Sequence, residues 1–232
     1  MPLSIIVPAF NEEGNIQAVC EGLRRIADQT LDDYEILLFD DASRDRTAVI
    51  ARTMEKTHSR LRVIQNPVNR GLGYNYREGA LRAKFDYVAI VPGDNEVLPE
   101  SLIEMFRRVG SADLVLGYSA NASIRPWQRR FISRVYTRFL NLLFGLKVRY
   151  FNGPTVVRTD LARRFAPASE SFAYMAVTVV RSLKTGSSYC EVPFRIQARN
   201  YGKTKAFKFK NVVKVVRDIL TLWWQIFIRS NR

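Results

Sequence analysis

The chain has 232 residues, of which 47% are hydrophobic and 25% charged; this excludes a disordered polymer and allows one α/β domain with a sizeable core. The formal net charge of +14 is split unevenly: residues 1–118 hold 14 Lys and Arg against 18 Asp and Glu, and residues 119–232 hold 22 against 4. An acidic half suits a cation, and a basic half suits an anionic partner such as phosphate, nucleic acid or a lipid headgroup.

In chain order, LSIIVPAF (3–10), YEILLFDD (34–41), LRVIQN (61–66), YVAIVPGD (87–94) and DLVLGYS (113–119) read as strands. Helical spacing occupies about 13–28, 46–57, 74–84 and 99–109 between them. Near-continuous apolar strands alternating with helices predict a mostly parallel sheet covered on both faces. The strand C-termini should then carry the ligand crevice, and they hold Asn11-Glu12-Glu13, Asp40-Asp41, Asn66 and Asp94-Asn95-Glu96.

After residue 119 the pattern changes. Trp127–Leu146 predicts a basic amphipathic helix, with Trp127, Phe131, Val135 and Phe139 at steps of four and Arg130, Arg134 and Arg138 on a neighbouring face. Such a helix either lies in a bilayer interface or packs its apolar face on the domain and leaves the arginines in water. A strand is expected at 148–158, a helix at about 173–184 and a strand at 188–199. From Lys205 onward the chain is basic and apolar, ending in a run at 219–228 about half the length needed to span a bilayer. The Leu222-Trp223-Trp224 cluster fits a bilayer interface, a core plug or a dimer contact. Cys20 and Cys190 lie outside metal-ligand spacing and read as small core residues in a reducing compartment. The start of the chain lacks signal-peptide character. His58, in a polar loop, receives no role.

Three constellations carry chemistry. Asp40 and Asp41, at the end of the second strand, supply acceptors for ribose hydroxyls or base N–H groups, or else belong to a capped turn. Asp94 and Glu96 form either a divalent-cation site that would neutralise a departing diphosphate or a solvated acidic loop. Asn69-Arg70-Gly71-Leu72-Gly73 precedes a helix whose N-terminus could meet phosphate, or is a plain turn.

The order VPAFNEEGNI, DDASRDRT, NRGLGYNYREGAL, VPGDNEVLPESL resembles the family 2 glycosyltransferases of GT-A fold, in particular the dolichyl-phosphate mannosyltransferase-like branch. WQRRFISR and EVPFRIQARNYGKTK extend the likeness into the second half. The resemblance implies a GT-A, Rossmann-like mixed sheet flanked by helices, with amphipathic interfacial helices in the C-terminal half. It implies a transferase domain over 1–205, split into a nucleotide-sugar half (1–118) and an acceptor half (119–205), and a membrane-associated basic helix over 206–232. Pro8, Phe10, Asn11, Glu13, Asp40, Asp41, Gly71 and Gly73 would bind the nucleotide-sugar. Asp94, assisted by Glu96, would hold Mg²⁺ or Mn²⁺. Arg129, Ser133 and Arg134 would receive the acceptor phosphate, and Arg199 and Lys205, flanking Tyr201-Gly202, would meet a diphosphate or that phosphate.

The resemblance also shows departures. Pro92 stands where the usual aspartate pair has its first member, the later Asp-x-x-x-Gly-x-Arg element is reduced to Arg149, Gly153 and Thr155, and the acid usual near Phe172–Met175 is replaced. A phosphate monoester, already ionised near neutral pH, needs no general base. A basic second half with four acids therefore fits a polyprenyl phosphate acceptor, reached at the cytoplasmic face of a membrane by a peripheral enzyme. Alternatives are a glycan or lipid hydroxyl acceptor, and a catalytically silent membrane-binding relative. A nucleic-acid binder is disfavoured, because the basic regions carry long aliphatic faces and no such motif.

Overall fold

The computed structural model describes residues 1–167, 171–197 and 209–229, with side chains described over 212–228 in the last stretch. Seven strands form one sheet: β1 (Leu3–Ala9), β2 (Tyr34–Asp40), β3 (Leu61–Gln65), β4 (Tyr87–Ile90), β5 (Leu114–Ser119), β6 (Thr155–Arg158) and β7 (Tyr189–Phe194). Their order is β3-β2-β1-β4-β6-β5-β7, and only β6 runs antiparallel to its neighbours.

Every residue of β1 and β2 is buried, which is why both read as unbroken apolar runs. Successive side chains point to opposite faces, so Ile6, Leu37 and Phe39 enter one core while Ile5, Val7, Ile36 and Leu38 enter the other. Helices α1 (Ile16–Thr30), α2 (Thr47–Glu55) and α4 (Pro99–Arg107) cover the second face. Helices α3 (Gly71–Arg82), α6 (Thr159–Phe165) and α7 (Tyr174–Lys184) cover the first. Cys20 lies in the core of α1, where burial and the neighbouring Glu21 push its thiol up to about 12. Burial of this kind disfavours the reactive thiolate.

The strand expected at 148–158 forms only as β6. Pro154 has no N–H to give a ladder, and Gly153 is pressed against the backbone of Gly117. Residues 148–154 instead cross the sheet end, tied to α5 (Trp127–Phe144) by Asn141, whose side chain bonds both the N–H and the carbonyl of Val148. The strand expected at 188–199 is likewise shorter, ending at Phe194 before a bridge from Ile196 to Val97.

Helix α5 starts after Pro126 and stops at Gly145, which takes the left-handed φ of 61° that favours glycine. It rests on the domain through Thr137, Leu140 and Phe144, and its stripe of Trp127, Phe131, Val135 and Phe139 is exposed. The stripe is therefore not buried against the described residues of the domain. Helix α8 (Phe209–Trp224) buries Ile219 and Leu222, leaves Trp224 exposed, and continues as a π-helical turn over Gln225–Arg229. Phe227 of that turn stacks on Phe144 of α5 at 6.2 Å. No described helix is long and apolar enough to cross a membrane.

A methyl group at Gly153 would collide with the Gly117 carbonyl oxygen, a backbone atom that cannot swing aside. Gly153→Ala should therefore destabilise the fold by about 1–3 kcal/mol, read as a lower urea midpoint at unchanged slope.

Candidate active site

The strand order reverses between β1 and β4, and the segments leaving those two strands part to open a crevice. Its first wall is a lattice between the loops after β1 and β2. The Asn11 N–H donates to Ser43 Oγ (3.0 Å), the Glu12 N–H to Thr47 Oγ1 (2.8 Å) and the Glu13 N–H to Asp45 Oδ2 (3.2 Å). In return, the Arg44 N–H donates to Asn11 Oδ1 (2.8 Å) and the Arg46 N–H to Glu13 Oε2 (2.9 Å). Desolvation raises the Asp45 pKa, but the Thr47 hydroxyl and the amides of Thr47 and Glu13 outweigh it and hold the carboxyl below its usual range. Asn11 holds φ 57° and Ala42 φ 62°, so the lattice fixes two non-glycine residues in left-handed backbone.

Asp40 and Asp41 behave differently although adjacent. Asp41 accepts from Asn66 Nδ2 and from the amides of Arg70 and Gly71, all at 2.8 Å. The N-terminal amides of α3 that the sequence offers to phosphate are therefore taken up by Asp41, and α3 begins at Gly71, three residues earlier than periodicity predicts. Asp40 is fully buried; Oδ1 accepts the Ser43 N–H (3.2 Å), and Oδ2 has no hydrogen-bond partner among the described residues.

The second wall follows β4. Asn95 is held at φ 54°, its carbonyl accepts from Gln197 Nε2 (2.8 Å), and Asp94 Oδ1 accepts the Glu96 N–H (3.3 Å). Glu96 Oε2 lies 3.7 Å from Arg125 Nη2, both side chains being largely buried.

A cavity of about 690 Å³ joins these walls to α5 and α8. It brings together Pro8, Phe10, Asp41, Gly71, Asp94, Glu96, Arg129 and Ser133 from the residues anticipated in the sequence. Asn11, Glu13, Asp40, Gly73 and Arg134 do not line it; Arg134 is exposed, and Asn11 and Glu13 serve as struts between loops. Arg199 and Lys205, like Tyr201 and Gly202, lie outside the described residues. Beyond Ser133 the cavity is apolar, lined by Ile132, Phe139, Val215, Val216, Ile219 and Leu220.

Sequence reasoning missed Arg125, Tyr136 and Tyr150, which also line the cavity. The four-residue spacing Arg125, Arg129, Ser133 was the available signal for the first. Burial first, and then the charge of Asp218, push the Tyr136 hydroxyl pKa upward. Asp218, from α8, accepts from Ser171 Oγ, beside the cavity-lining Phe172.

The profile of "Glycosyl transferase family 2" matches residues 4–172, and the chain belongs to that family. It is therefore a glycosyltransferase. An undecaprenyl-phosphate mannosyltransferase of Micrococcus luteus is 26% identical over 239 residues, covering 97% of each chain. An uncharacterized protein of Mycobacterium tuberculosis is 27% identical over 238 residues, 94% of this chain and 72% of the relative. Among solved structures, M. tuberculosis glucosyl-3-phosphoglycerate synthase, in complex with Mn²⁺, UDP and glucosyl-3-phosphoglycerate, superposes with TM-score 0.69 at 16% identity, over 97% of this chain and 79% of that one. The architecture is that of the GT-A glycosyltransferases.

Asp41→Ala should cost about 1–3 kcal/mol, because it strands the buried amide of Asn66 and the amides opening α3. Asp40→Asn should cost less, since one oxygen of Asp40 has no described partner to lose. Paired urea titrations compare the two.

Proposed function

We propose that this glycosyltransferase moves a sugar, with inversion, from a nucleoside diphosphate-sugar to a polyprenyl phosphate, as a peripheral enzyme at the cytoplasmic face of a membrane. The observation that carries the reading is the continuity of the cavity from the carboxylate-bearing strand ends, past Arg129 and Ser133, into the apolar groove between α5 and α8. A nucleotide-sugar suits the first end, and a phosphate trailing an isoprenoid chain suits the second. The printed name of the M. luteus relative, an undecaprenyl-phosphate mannosyltransferase, supports the same acceptor class.

The carboxylates lining the cavity also support it. Glu12, Asp41, Asp94 and Glu96 all lie on the donor side: Glu12 accepts from Asn15 (2.7 Å), Asp41 from the α3 amides, and Glu96 faces Arg125. Among the described residues the acceptor side presents Arg129, Ser133, Tyr136 and otherwise mainly apolar side chains, with no carboxylate lining it. A hydroxyl acceptor would need a base there, whereas a phosphate needs only to be held in line with its charge tolerated. Arg129 and Ser133 do that holding in this reading.

A divalent ion fits Asp94. Mg²⁺ takes one or two carboxylates and leaves its other positions to water and phosphate, so a cluster of three acidic, Cys or His ligands, absent among the described residues, is not required. The solved relatives contain Mn²⁺ or Mg²⁺ with UDP. When bound, such an ion offsets charge on the departing diphosphate. Glu96, engaged by Arg125, is the weaker candidate ligand. The exposed stripe of α5, with Arg134 and Arg138 beside it and Trp224 on α8, is assigned to an anionic bilayer surface, with the basic segment over 206–232 as a membrane-associated helix.

The test offers GDP- and UDP-sugars with Mg²⁺ or Mn²⁺, with and without a short polyprenyl phosphate in detergent. Nucleoside diphosphate released from one donor only when the lipid is present is the expected result. Release that ignores the lipid would remove the acceptor assignment, and no release or nucleotide binding at all would point to a silent relative. Arg129→Ala should raise KM for the lipid at least about tenfold and leave KM for the donor unchanged.

A further inference from the structure

Arg125 is half-buried at the cavity wall, with its hydrogen bonding incomplete among the described residues. It sits between a 3₁₀ turn (Ala122–Ile124) and Pro126, the residue that opens α5. A following proline confines a residue to extended backbone, and Arg125 obeys with φ −87° and ψ 148°. The guanidinium is therefore delivered to the cavity from a backbone with little freedom. Nη1 donates to Tyr150 Oη (3.1 Å), Nη2 stands 3.7 Å from Glu96 Oε2, and Nε is buried with no acceptor among the described residues.

A contrast within the same molecule shows how loose this is. Arg158 grips Asp160 with Nε and Nη2, both at 2.7 Å, and reaches Asp113 with Nη1 at 2.8 Å. That is how an arginine looks when its pairing serves the fold. Arg125 holds Glu96 beyond hydrogen-bond distance and leaves a buried donor unmet, which is costly unless another acceptor is sometimes present. Arg125 nonetheless lines the cavity, one step of four before Arg129 and two before Ser133, so its guanidinium stands beside the space a ligand would enter.

We infer that Arg125 is a phosphate-binding residue held in reserve by Glu96. When phosphate oxygens enter, the fork leaves its long pair with Glu96 and closes on them, in the two-pronged geometry that guanidinium and phosphate share. The inference rests on the cavity being the site of a phosphate-bearing substrate. The phosphate belongs either to the donor's diphosphate or to the acceptor's monoester, and both present the same oxygens.

The test measures binding without metal and without turnover. UDP, GDP, the corresponding nucleoside monophosphates and a short prenyl phosphate are titrated against the wild type, Arg125→Gln, Arg125→Lys and Glu96→Gln. Arg125→Gln should weaken one ligand at least about tenfold. A loss confined to nucleoside diphosphates names the donor, and a loss confined to prenyl phosphate names the acceptor. Arg125→Lys should recover only part, because lysine has the charge without the fork. Glu96→Gln should tighten the same ligand by about threefold, since the competing carboxylate is gone. Wild-type affinity for every ligand in a folded Arg125→Gln variant, judged by an unchanged melting temperature, overturns the inference. Should that variant fail to fold, unchanged or weaker phosphate binding in Glu96→Gln overturns it instead. A wild-type chain that binds neither class of ligand overturns the donor and acceptor reading, and this inference with it.

Discussion

The reversal of strand order between β1 and β4 is the constraint on which the rest of this structure depends. Chain leaving β1 turns toward β2 and β3, chain leaving β4 turns the other way, and neither fills the gap between them. Pro8 and Phe10 form one lip of that gap, and Pro92, Gly93 and Asp94 the other. The backbone amides of Val91 and Gly93 still bond to Ile6 and Pro8, so the lips are held at sheet spacing before they diverge. The site is thereby built at the ends of two strands that are buried almost throughout.

The second half of the chain completes that gap. Among the described residues helix α5 buries Thr137, Leu140 and Phe144 in its C-terminal half, while Arg129 in its first turn and Arg125, just before Pro126, line the cavity with the acidic lips. Helix α8 lies alongside, held by Ile219, Leu222 and the bond from Ser171 to Asp218. The division of charge along the sequence thus becomes a division across one cavity, with carboxylates at the strand ends and guanidinium groups on the facing helix. In the proposed reaction, a diphosphate leaving one side and a phosphate arriving on the other would both draw on that arrangement.

Legibility in the sequence followed the range of the interactions. β1 and β2 were plain because burial on both faces leaves an apolar run. The strand expected at 148–158 was overestimated because apolar content there serves a crossing segment, with Phe151 buried beneath the cavity wall. The rim residues Asp41 and Asp94 were found from their place after strands. The duties of Asn11 and Glu13 were not, since their partners lie 32–33 residues away in another loop. Periodicity located the apolar stripe of α5 but not which side meets the domain: Leu140 and Phe144 are buried while Phe131 and Val135 are exposed, a choice made by tertiary packing.

The most direct measurement of the central claim, that one cavity joins the donor rim to a lipid groove, is photo-crosslinking with a short prenyl phosphate carrying a diazirine on its first isoprene unit. The account predicts label in the peptides of α5 and α8, at groove residues such as Ile132, Phe139 and Ile219, and its loss when unlabelled prenyl phosphate is added in excess. Label confined to the outward residues Trp127 and Leu142, and undiminished by that competitor, would contradict it.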